Sequence, residues 1–160
     1  MKILVTGGAG FIGSALAQRL ITDGNDVVVI DNFNEYYDPE LKRAREKELL
    51  TGVTVLEGDI TDALFLEEIF SAHAFDVVCH FAAQAGVRYS VEHPEVYVTT
   101  NVLGTQMLLE AMKNHDVKRL VFASTSSAYG VSATSPFNED EKADRPVSVY
   151  AATKRAAELL

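Results

Sequence analysis

Short apolar runs alternate with amphipathic segments along the chain. Apolar runs rich in β-branched residues predict five buried strands, at Lys2–Thr6, Asp26–Ile30, Val53–Leu56, Val77–Phe81 and Lys118–Ala123. Helical spacing predicts helices at Phe11–Asp23, Pro39–Leu50, Asp62–His73 and Glu92–Asn114, and a last helix from Val149 onward. Polar stretches at Asn32–Asp38 and Val131–Val147 predict loops. Apolar strands that alternate with helices predict a doubly wound α/β fold of the Rossmann type with a parallel sheet.

Net charge, apolar runs and cysteine content argue against several classes of partner and indicate the cellular compartment. The 160 residues carry a net charge of −9, which argues against nucleic acid or an anionic membrane as a partner. No run approaches the roughly 20 apolar residues of a membrane span, and the first residues read as a strand and not as a targeting segment. The single cysteine, Cys79, lies in an apolar run typical of buried positions and fits a reducing compartment such as the cytoplasm. The 4 histidines are dispersed, so we expect no metal site.

A glycine-rich turn follows the first predicted strand. Gly7, Gly10 and Gly13 recur at every third position between that strand and the first helix. Glycines allow a tight turn and a close approach of the backbone to a pyrophosphate, while the helix N-terminus supplies free N–H groups. A glycine triplet alone is also compatible with a plain tight turn. The strand, the helix and the position of Asp31 together favour a dinucleotide site.

Two carboxylates follow the next two strands. Asp31 stands at the end of the second strand, where a carboxylate would accept hydrogen bonds from both hydroxyls of an adenosine ribose. It would repel a 2′-phosphate, which favours NAD over NADP. Asp59, after the third strand, is a candidate acceptor for the adenine amino group. It is also suited to capping the helix that begins near Asp62.

A tyrosine and a lysine lie four positions apart in the last helix. Tyr150 and Lys154 therefore share one helix face. A nearby ammonium favours phenolate over phenol, so the tyrosine would act as a base near neutral pH. The same pair arises by chance on many helices, and its meaning depends on the neighbouring residues. A run of four hydroxyl residues, at positions 124–127, lies upstream of the pair.

Seven motifs follow one another in a recognisable order. They are TGGAGFIG at 6–13, DN at 31–32, GDI at 58–60, HFAAQAGVRYS at 80–90, NVLGT at 101–105, STSSAYG at 124–130 and SVYAATK at 148–154. In this order they resemble the extended short-chain dehydrogenase/reductase family. More narrowly, they resemble the NAD-dependent nucleotide-sugar epimerases of the UDP-glucuronate 4-epimerase group. The resemblance implies NAD as the cofactor and a UDP-sugar as the substrate, with UDP-glucuronate favoured.

The resemblance also implies the roles of the catalytic residues. Tyr150 would be the general base and acid, and Lys154 would support it while binding the nicotinamide ribose. Thr125 matches the family's catalytic Ser/Thr, with Ser126 and Ser127 as near substitutes. The tyrosine would take the proton of a sugar C4 hydroxyl while the C4 hydride passes to NAD⁺. The 4-keto sugar would then turn over and take the hydride back on its other face.

The remaining site residues are carried over by the same resemblance. Arg88 would contact a pyrophosphate or a uronate carboxylate, although a solvated surface arginine is the alternative, and Ser127 would also contact the substrate. Asn101 is either a structural hydrogen-bonding residue or a member of a proton relay. Ala82 and Ala83 would end the fourth strand and leave room for the cofactor. The implied cofactor-binding set is Gly7, Gly10, Phe11, Ile12, Gly13, Asp31, Asn32, Asp59, Ile60, Ala82, Ala83, Tyr150 and Lys154.

The residues beside Thr125 narrow the chemistry. Dehydratases and decarboxylases of the family carry an Asp or Glu next to the catalytic Ser/Thr, where it moves a second proton. Here the corresponding residues, Ser126 and Ser127, are neutral. Their neutrality favours an epimerase or a simple oxidoreductase over a dehydratase.

Family members are considerably longer than this chain. We therefore expect residues 1–160 to form an incomplete NAD-binding Rossmann domain that lacks the substrate-binding part. Family members also pair through two helices, which implies a homodimer through 92–114 and the helix from 150 onward, with Val98, Val102 and Met112 as candidate contacts; the alternative is that these residues cover the sheet. Two other functions remain open: a free-standing NAD-binding or redox-sensing module without turnover, and another nucleotide-sugar epimerase or dehydratase.

Overall fold

A computed structural model describes residues 1–131 and 136–160. Its elements are β1 (Lys2–Thr6), α1 (Phe11–Thr22), β2 (Asp26–Asp31), α2 (Pro39–Leu49), β3 (Thr54–Glu57), α3 (Ala63–Ala72), β4 (Val77–His80), α4 (Tyr89–Glu92), α5 (Pro94–Tyr97), a π-helical segment (Val98–Gly104), α6 (Thr105–Asn114), β5 (Leu120–Phe122), a 3-10 turn (Ser126–Tyr129) and α7 (Val149–Glu158). The predicted strands and helices agree with these bounds to within two residues, with one exception, the helix predicted at Glu92–Asn114. The sequence did not predict α4 or the 3-10 turn.

The chain between residues 89 and 114 is not one regular helix. His93 leaves the helical region (φ −132°, ψ 60°) because it precedes a proline, and α5 begins at that Pro94. A π-helical segment, Val98–Gly104, then precedes α6. The prediction of a continuous helix from Glu92 was wrong because apolar spacing reports the buried face and not the hydrogen-bond register of the backbone.

The chain comprises two compact units. The first contains residues 1–82 and 107–123, and the second contains residues 83–106 and 124–160. The first unit holds the five-stranded sheet, whose order is β3-β2-β1-β4-β5 with every neighbouring pair parallel. This order confirms the predicted doubly wound parallel sheet. That residues 1–160 form a single cofactor-binding domain remains a prediction.

Helices cover both faces of the sheet in the first unit. Leu4 of β1 packs in a cluster with Leu66 of α3 and Leu108 of α6. Its neighbour in the strand, Val5, points to the opposite face and packs with Ala17 of α1. Successive strand residues alternate between faces, so a strand that is buried on both sides requires apolar residues throughout.

Cys79 and Met112, whose roles the sequence left open, lie in the apolar clusters on the two faces of the sheet. Cys79 is 6% exposed, and burial raises the pKa of its thiol, which confirms the interpretation as a buried apolar position. Met112 is 4% exposed and packs with Leu108 under the sheet. The idea that Met112 faces a partner was therefore wrong, because the side chain belongs to the core of the first unit.

The second unit is built around α7. This helix packs against α4, α5, the π-helical segment and the 3-10 turn. Residues 136–147 form an irregular stretch with a turn in which Glu141 N donates to Asn138 O. The loop predicted at Val131–Val147 agrees with the structure there, while residues 132–135 lie outside the described residues.

Candidate functional site

The glycine-rich turn between β1 and α1 is held in a tight conformation. Gly7 adopts a φ of +66°, and a Cβ on it would lie 2.6 Å from the backbone nitrogen of Ala82. A Cβ on Gly13 would lie 2.3 Å from Gly7 O, so this glycine lets the helix approach the turn. Gly10 has an ordinary φ of −70° and serves as the N-cap of α1. Two of the three predicted glycines are thus required by the turn itself.

The N-terminus of α1 is open on its outer side. No side chain caps it, and the first two helical residues, Phe11 and Ile12, are 79% and 61% exposed. The first N–H groups of a helix have no acceptor within the helix and carry the positive end of its dipole. This arrangement fits the predicted pyrophosphate cradle, with Gly10 as the point where a ligand would approach the backbone.

Asp31 is buried at the end of β2 and is 5% exposed. Its Oδ2 accepts a hydrogen bond from Ala9 N, and its Oδ1 accepts from Phe33 N. Lys42 of α2 adds an ion pair of 2.9 Å between Nζ and Oδ1, with both side chains less than a tenth exposed. The carboxylate therefore fixes the glycine-rich turn to α2, in addition to its predicted role at a ribose.

Asn32 and Asp59 meet at the same edge of the sheet. Asn32 Nδ2 donates to Asp59 Oδ2 at 2.7 Å, and the other oxygen of Asp59 accepts from the backbone N–H and hydroxyl of Thr61. Burial raises the pKa of Asp59, but the hydrogen bonds from Asn32 and Thr61 outweigh burial and leave the pKa lowered. The capping alternative for Asp59 was wrong, because Asp62 caps α3 by accepting from Leu64 N.

The small residues predicted to end the fourth strand follow it instead. β4 ends at His80, and Ala82 N donates to the hydroxyl of Thr6 at 3.1 Å. Ala82 lies against Gly7 and is the last residue of the first segment of the first unit. Ala83 belongs to the second unit. Ile60 is 4% exposed and packs in the core beside α3, so its side chain is a packing residue.

Tyr150 and Lys154 lie on α7 in the second unit, where Ser148 caps the helix by accepting from Ala151 N. Tyr150 is half-buried, and its ring packs edge-on against Tyr97 with centroids 6.1 Å apart. Lys154 is 3% exposed. Burial lowers the pKa of its ammonium from the usual 10.5 to about 8, and the nearby carboxylate of Glu158 opposes that shift.

The hydroxyl run at positions 124–127 leads into the 3-10 turn, which packs against α7 in the second unit. Thr125 caps the 3-10 turn, and its Oγ1 accepts from Ser127 N at 3.1 Å, which leaves the hydroxyl proton available as a donor. Ser126 is exposed and Ser127 is half-buried. The second unit thus holds Thr125, the two neutral serines, Tyr150 and Lys154, as the sequence predicted for one catalytic group.

Asn101 forms a hydrogen-bonded bridge inside the second unit. Its side chain accepts from Gln84 N and donates to Gln84 O, so it pairs both backbone groups of one residue. Its amide also donates to Thr153 Oγ1 at 3.1 Å, and Thr153 donates in turn to Tyr150 O. This pattern supports the structural reading of Asn101: the side chain ties the π-helical segment to α7 beside Lys154.

Arg88 lies at the start of α4 and is exposed. Within residues 1–131 and 136–160 its guanidinium makes no hydrogen bond or ion pair, which leaves this group open to a ligand or to solvent. The same described residues contain no cluster of three or more His, Cys, Asp or Glu side chains with metal-binding geometry. Among their helices, none has the length and apolar character needed to cross a bilayer.

Two residues of these sites escaped sequence analysis. Lys42 lies in a highly charged helix, which indicates solvent exposure, and its burial against Asp31 depends on tertiary contacts alone. Glu158 carried a detectable signal, because it continues the four-residue spacing of Tyr150 and Lys154 along α7.

Comparisons with known proteins place these residues in a family. A family model described as GDP-mannose 4,6 dehydratase matches residues 4–160. UDP-glucuronate 4-epimerase 3 of Arabidopsis thaliana is 49% identical over 159 residues, which cover 98% of this chain and 37% of that protein. A UDP-glucuronate 4-epimerase of Thermodesulfobacterium geofontis is 48% identical over 98% of this chain and 49% of its own length.

Solved structures give the same result. The crystal structure of UDP-glucose 4-epimerase from Brucella ovis in complex with NAD superposes with a TM-score of 0.86, at 38% sequence identity. The match covers 99% of this chain and 46% of that chain. The structure of UDP-glucose 4-epimerase from Bifidobacterium longum with NAD⁺ and UDP has a TM-score of 0.89 at 32% identity, covering 99% of this chain and 47% of that one. This chain spans less than half the length of both. Because the family model matches all but the first three residues, the chain belongs to the GDP-mannose 4,6 dehydratase family of extended short-chain dehydrogenases/reductases and is similar to the N-terminal portion of nucleotide-sugar 4-epimerases.

Proposed function

We propose that this chain carries the NAD-binding and proton-transfer residues of a nucleotide-sugar C4 epimerase, with UDP-glucuronate as the substrate and UDP-galacturonate as the product. The observation that carries the proposal is the composition of the second unit. Thr125 with two neutral neighbours, Ser126 and Ser127, lies in the same unit as Tyr150 and Lys154. Reversible oxidation of one hydroxyl needs a single proton-transfer group, and no Asp or Glu stands beside Thr125 in the sequence to move a second proton.

The names of the relatives support glucuronate as the sugar. The Arabidopsis and Thermodesulfobacterium proteins that are 49% and 48% identical to this chain are both named as UDP-glucuronate 4-epimerases. The structural neighbours named as UDP-glucose 4-epimerases are 38% and 32% identical. The higher identity favours the uronate sugar, and the exposed guanidinium of Arg88 is suited to a carboxylate.

The first unit supplies the proposed cofactor site. The open N-terminus of α1 at Gly10 would bind the pyrophosphate, and Asp31 would accept from the adenosine ribose. When bound, NAD⁺ accepts the hydride from the sugar C4 and returns it, so that no net oxidation occurs. Two observations support this cofactor site. The N-terminus of α1 has no side-chain cap, and a Cβ on Gly7 or Gly13 would clash with nearby backbone atoms.

The residues of the second unit would perform the proton chemistry. Tyr150 takes the proton of the C4 hydroxyl as the C–H bond breaks, and it gives the proton back after the hydride has returned. Lys154 stabilises the phenolate through its positive charge. Thr125 donates its hydroxyl proton in a hydrogen bond to the C4 oxygen, while its own oxygen accepts from Ser127 N.

We also propose a homodimer that pairs through residues 92–114 and α7. Val98 and Leu103 of the π-helical segment are 52% and 42% exposed, which supplies apolar surface for such a contact. Met112 takes no part, since it is buried in the core. Sedimentation of the purified protein should give twice the mass of the chain, and a monomer at micromolar concentration would contradict the proposal.

The test of function uses the complete natural protein that carries this sequence. We expect it to retain or bind NAD and to convert UDP-glucuronate to UDP-galacturonate, with slower or no conversion of UDP-glucose. Tyr150→Phe should lose most of that activity while still binding NAD. Formation of a 4-keto-6-deoxy sugar from GDP-mannose would support the dehydratase alternative. Binding of NAD without conversion of any UDP-sugar would support the module without turnover.

A further inference from the structure

Glu158 is the third residue of a stripe on α7. Tyr150, Lys154 and Glu158 follow one another at four-residue spacing on one helix face. The carboxylate of Glu158 accepts hydrogen bonds from the hydroxyl of Ser124 and from the guanidinium of Arg155. Ser124 is exposed and the side chain of Glu158 is 23% exposed, so their hydrogen bond lies at the surface. The proposed reaction gives none of these contacts a role.

The bond to Ser124 joins the hydroxyl run to the catalytic helix. Ser124 directly precedes Thr125, which caps the 3-10 turn, and Gly130 N donates to Ser127 O at the far end of that turn. Residues 124–130 are therefore a small folded segment with its own internal hydrogen bonds. Its first residue is fastened to α7 one turn beyond Lys154.

We propose that Glu158 is a positioning residue that holds Thr125 in register with Tyr150 by binding Ser124. The inference rests on the proposed function, since it assigns Glu158 to the same catalytic group. Thr125 and Tyr150 must reach the same oxygen of the substrate, and they stand on different elements of the second unit. A shift of about 1 Å between such groups costs up to roughly a hundredfold in rate.

The charge of Glu158 has a second effect on the same helix. Burial lowers the pKa of Lys154, and the Glu158 carboxylate opposes that change, which keeps the ammonium charged near neutral pH. Arg155 binds Glu158 directly. A cavity in the second unit is lined by Ser124, Thr125 and Glu158, together with Glu139, Glu141 and Lys142 from the stretch before α7. These groups form the charged surroundings of the carboxylate within the described residues.

Kinetics of four variants separate the bond from the charge, measured in the complete natural protein. Glu158→Ala and Ser124→Ala each remove the bond and should lower kcat roughly ten- to hundredfold, with KM changed much less. The double variant should be no slower than the slower single variant, because both changes break one contact. Glu158→Gln keeps an acceptor for Ser124 and should retain most of kcat. The alkaline limb of the kcat–pH profile of Glu158→Gln should move to lower pH. The reason is that the carboxylate opposing the fall in the Lys154 pKa is gone.

The matched control is Glu139→Gln. It removes one carboxylate from the wall of the same cavity without touching Ser124, and it should leave kcat and its pH profile unchanged. Additive losses in the double variant, or equal losses of kcat from Glu139→Gln, would overturn the assignment of Glu158.

Amide hydrogen exchange provides a readout that does not depend on activity. Exchange in the peptide covering residues 124–130 should rise in Glu158→Ala and Ser124→Ala and stay unchanged in Glu139→Gln. Unchanged exchange in the first two variants would overturn the inference. Failure of the proposed function looks different: the unaltered protein would convert no UDP-sugar, while the exchange measurement would still decide whether Glu158 positions the segment.

Discussion

Thr6 and His80 stand opposite each other in the paired strands β1 and β4, with 2.6 Å between Thr6 Oγ1 and His80 Nδ1. The same oxygen accepts from Ala82 N. Which of Thr6 and His80 donates in their bond depends on the tautomer of the imidazole. This buried hydrogen bond joins the end of β1, where the glycine-rich turn begins, to the end of β4. The residues that follow β4, Phe81 and Ala82, lie against Gly7.

Replacing Thr6 with valine keeps the shape of the side chain and removes the hydroxyl. Ala82 N–H loses its acceptor and His80 Nδ1 loses its hydrogen-bond partner in a site where both residues of the pair are at most 1% exposed. We expect the free energy of unfolding to fall by about 1–3 kcal/mol, measured by urea denaturation. Thr22→Val is the control, because the hydroxyl of Thr22 bonds a helical carbonyl at an exposed position. Equal losses in the two variants would contradict the account.

Lys42→Met should destabilise the protein through Asp31. The buried carboxylate would lose its cation, and breaking a buried ion pair by removing one partner costs about 3–5 kcal/mol. The double variant Asp31→Asn/Lys42→Met should recover part of that loss, since no uncompensated charge remains. A thermal unfolding series measures both effects.

The control for this pair is Lys2→Met. Lys2 pairs with Asp26 at the surface, where an ion pair contributes about 0–1 kcal/mol. If Lys42→Met lowered the unfolding temperature no more than Lys2→Met, the ion pair with Asp31 would not stabilise the turn.

The sequence was sufficient for the sheet because its strands are buried on both faces. An uninterrupted apolar run such as Val27–Ile30 admits few other structures between two helices. The glycine spacing, Asp31 and the pair Tyr150 and Lys154 were visible because their roles depend on local position. These features lie on the elements that the sequence predicted, and their chemical roles stay predictions.

Contacts between distant segments were not visible in the same way. The bond from Thr6 to His80 depends on the register of two strands 74 positions apart, and no local pattern encodes that register. A lysine in the charged helix α2 indicates solvent exposure, yet Lys42 is buried. Pro94 signals the interruption at His93 locally, while the apolar spacing continues across it.

Two glycines of the turn should respond differently to alanine. A Cβ on Gly13 would lie 2.3 Å from Gly7 O, so Gly13→Ala should lower the unfolding temperature and the yield of soluble protein. A Cβ on Gly10 meets only Gly7 O, at 3.0 Å, with an ordinary φ. Gly10→Ala should fold almost normally and bind NAD at least about tenfold more weakly, because the methyl group occupies the approach to the helix N-terminus. Calorimetric NAD titration measures this, and unchanged affinity in Gly10→Ala would contradict the proposed pyrophosphate site.

Burial of Lys154 should make stability depend on pH. The fall in its pKa from 10.5 to about 8 corresponds to about 3 kcal/mol of disfavoured charge in the folded state. Between these two values the unfolded chain binds more protons, so stability should rise with pH across that window. Below about pH 8 the folded protein carries the full cost of the buried ammonium.

Lys154→Met isolates this contribution. The variant should be more stable than the unaltered protein at neutral pH, and the difference should shrink as the pH rises from about 8 to 10.5. It should also lose the proposed epimerase activity, because in that proposal the Lys154 ammonium stabilises the Tyr150 phenolate. Lys118→Met is the control, since the side chain of Lys118 is 79% exposed and its replacement should not alter the pH dependence. A difference between unaltered protein and Lys154→Met that stays constant across this range would show that the ammonium is not disfavoured in the folded state.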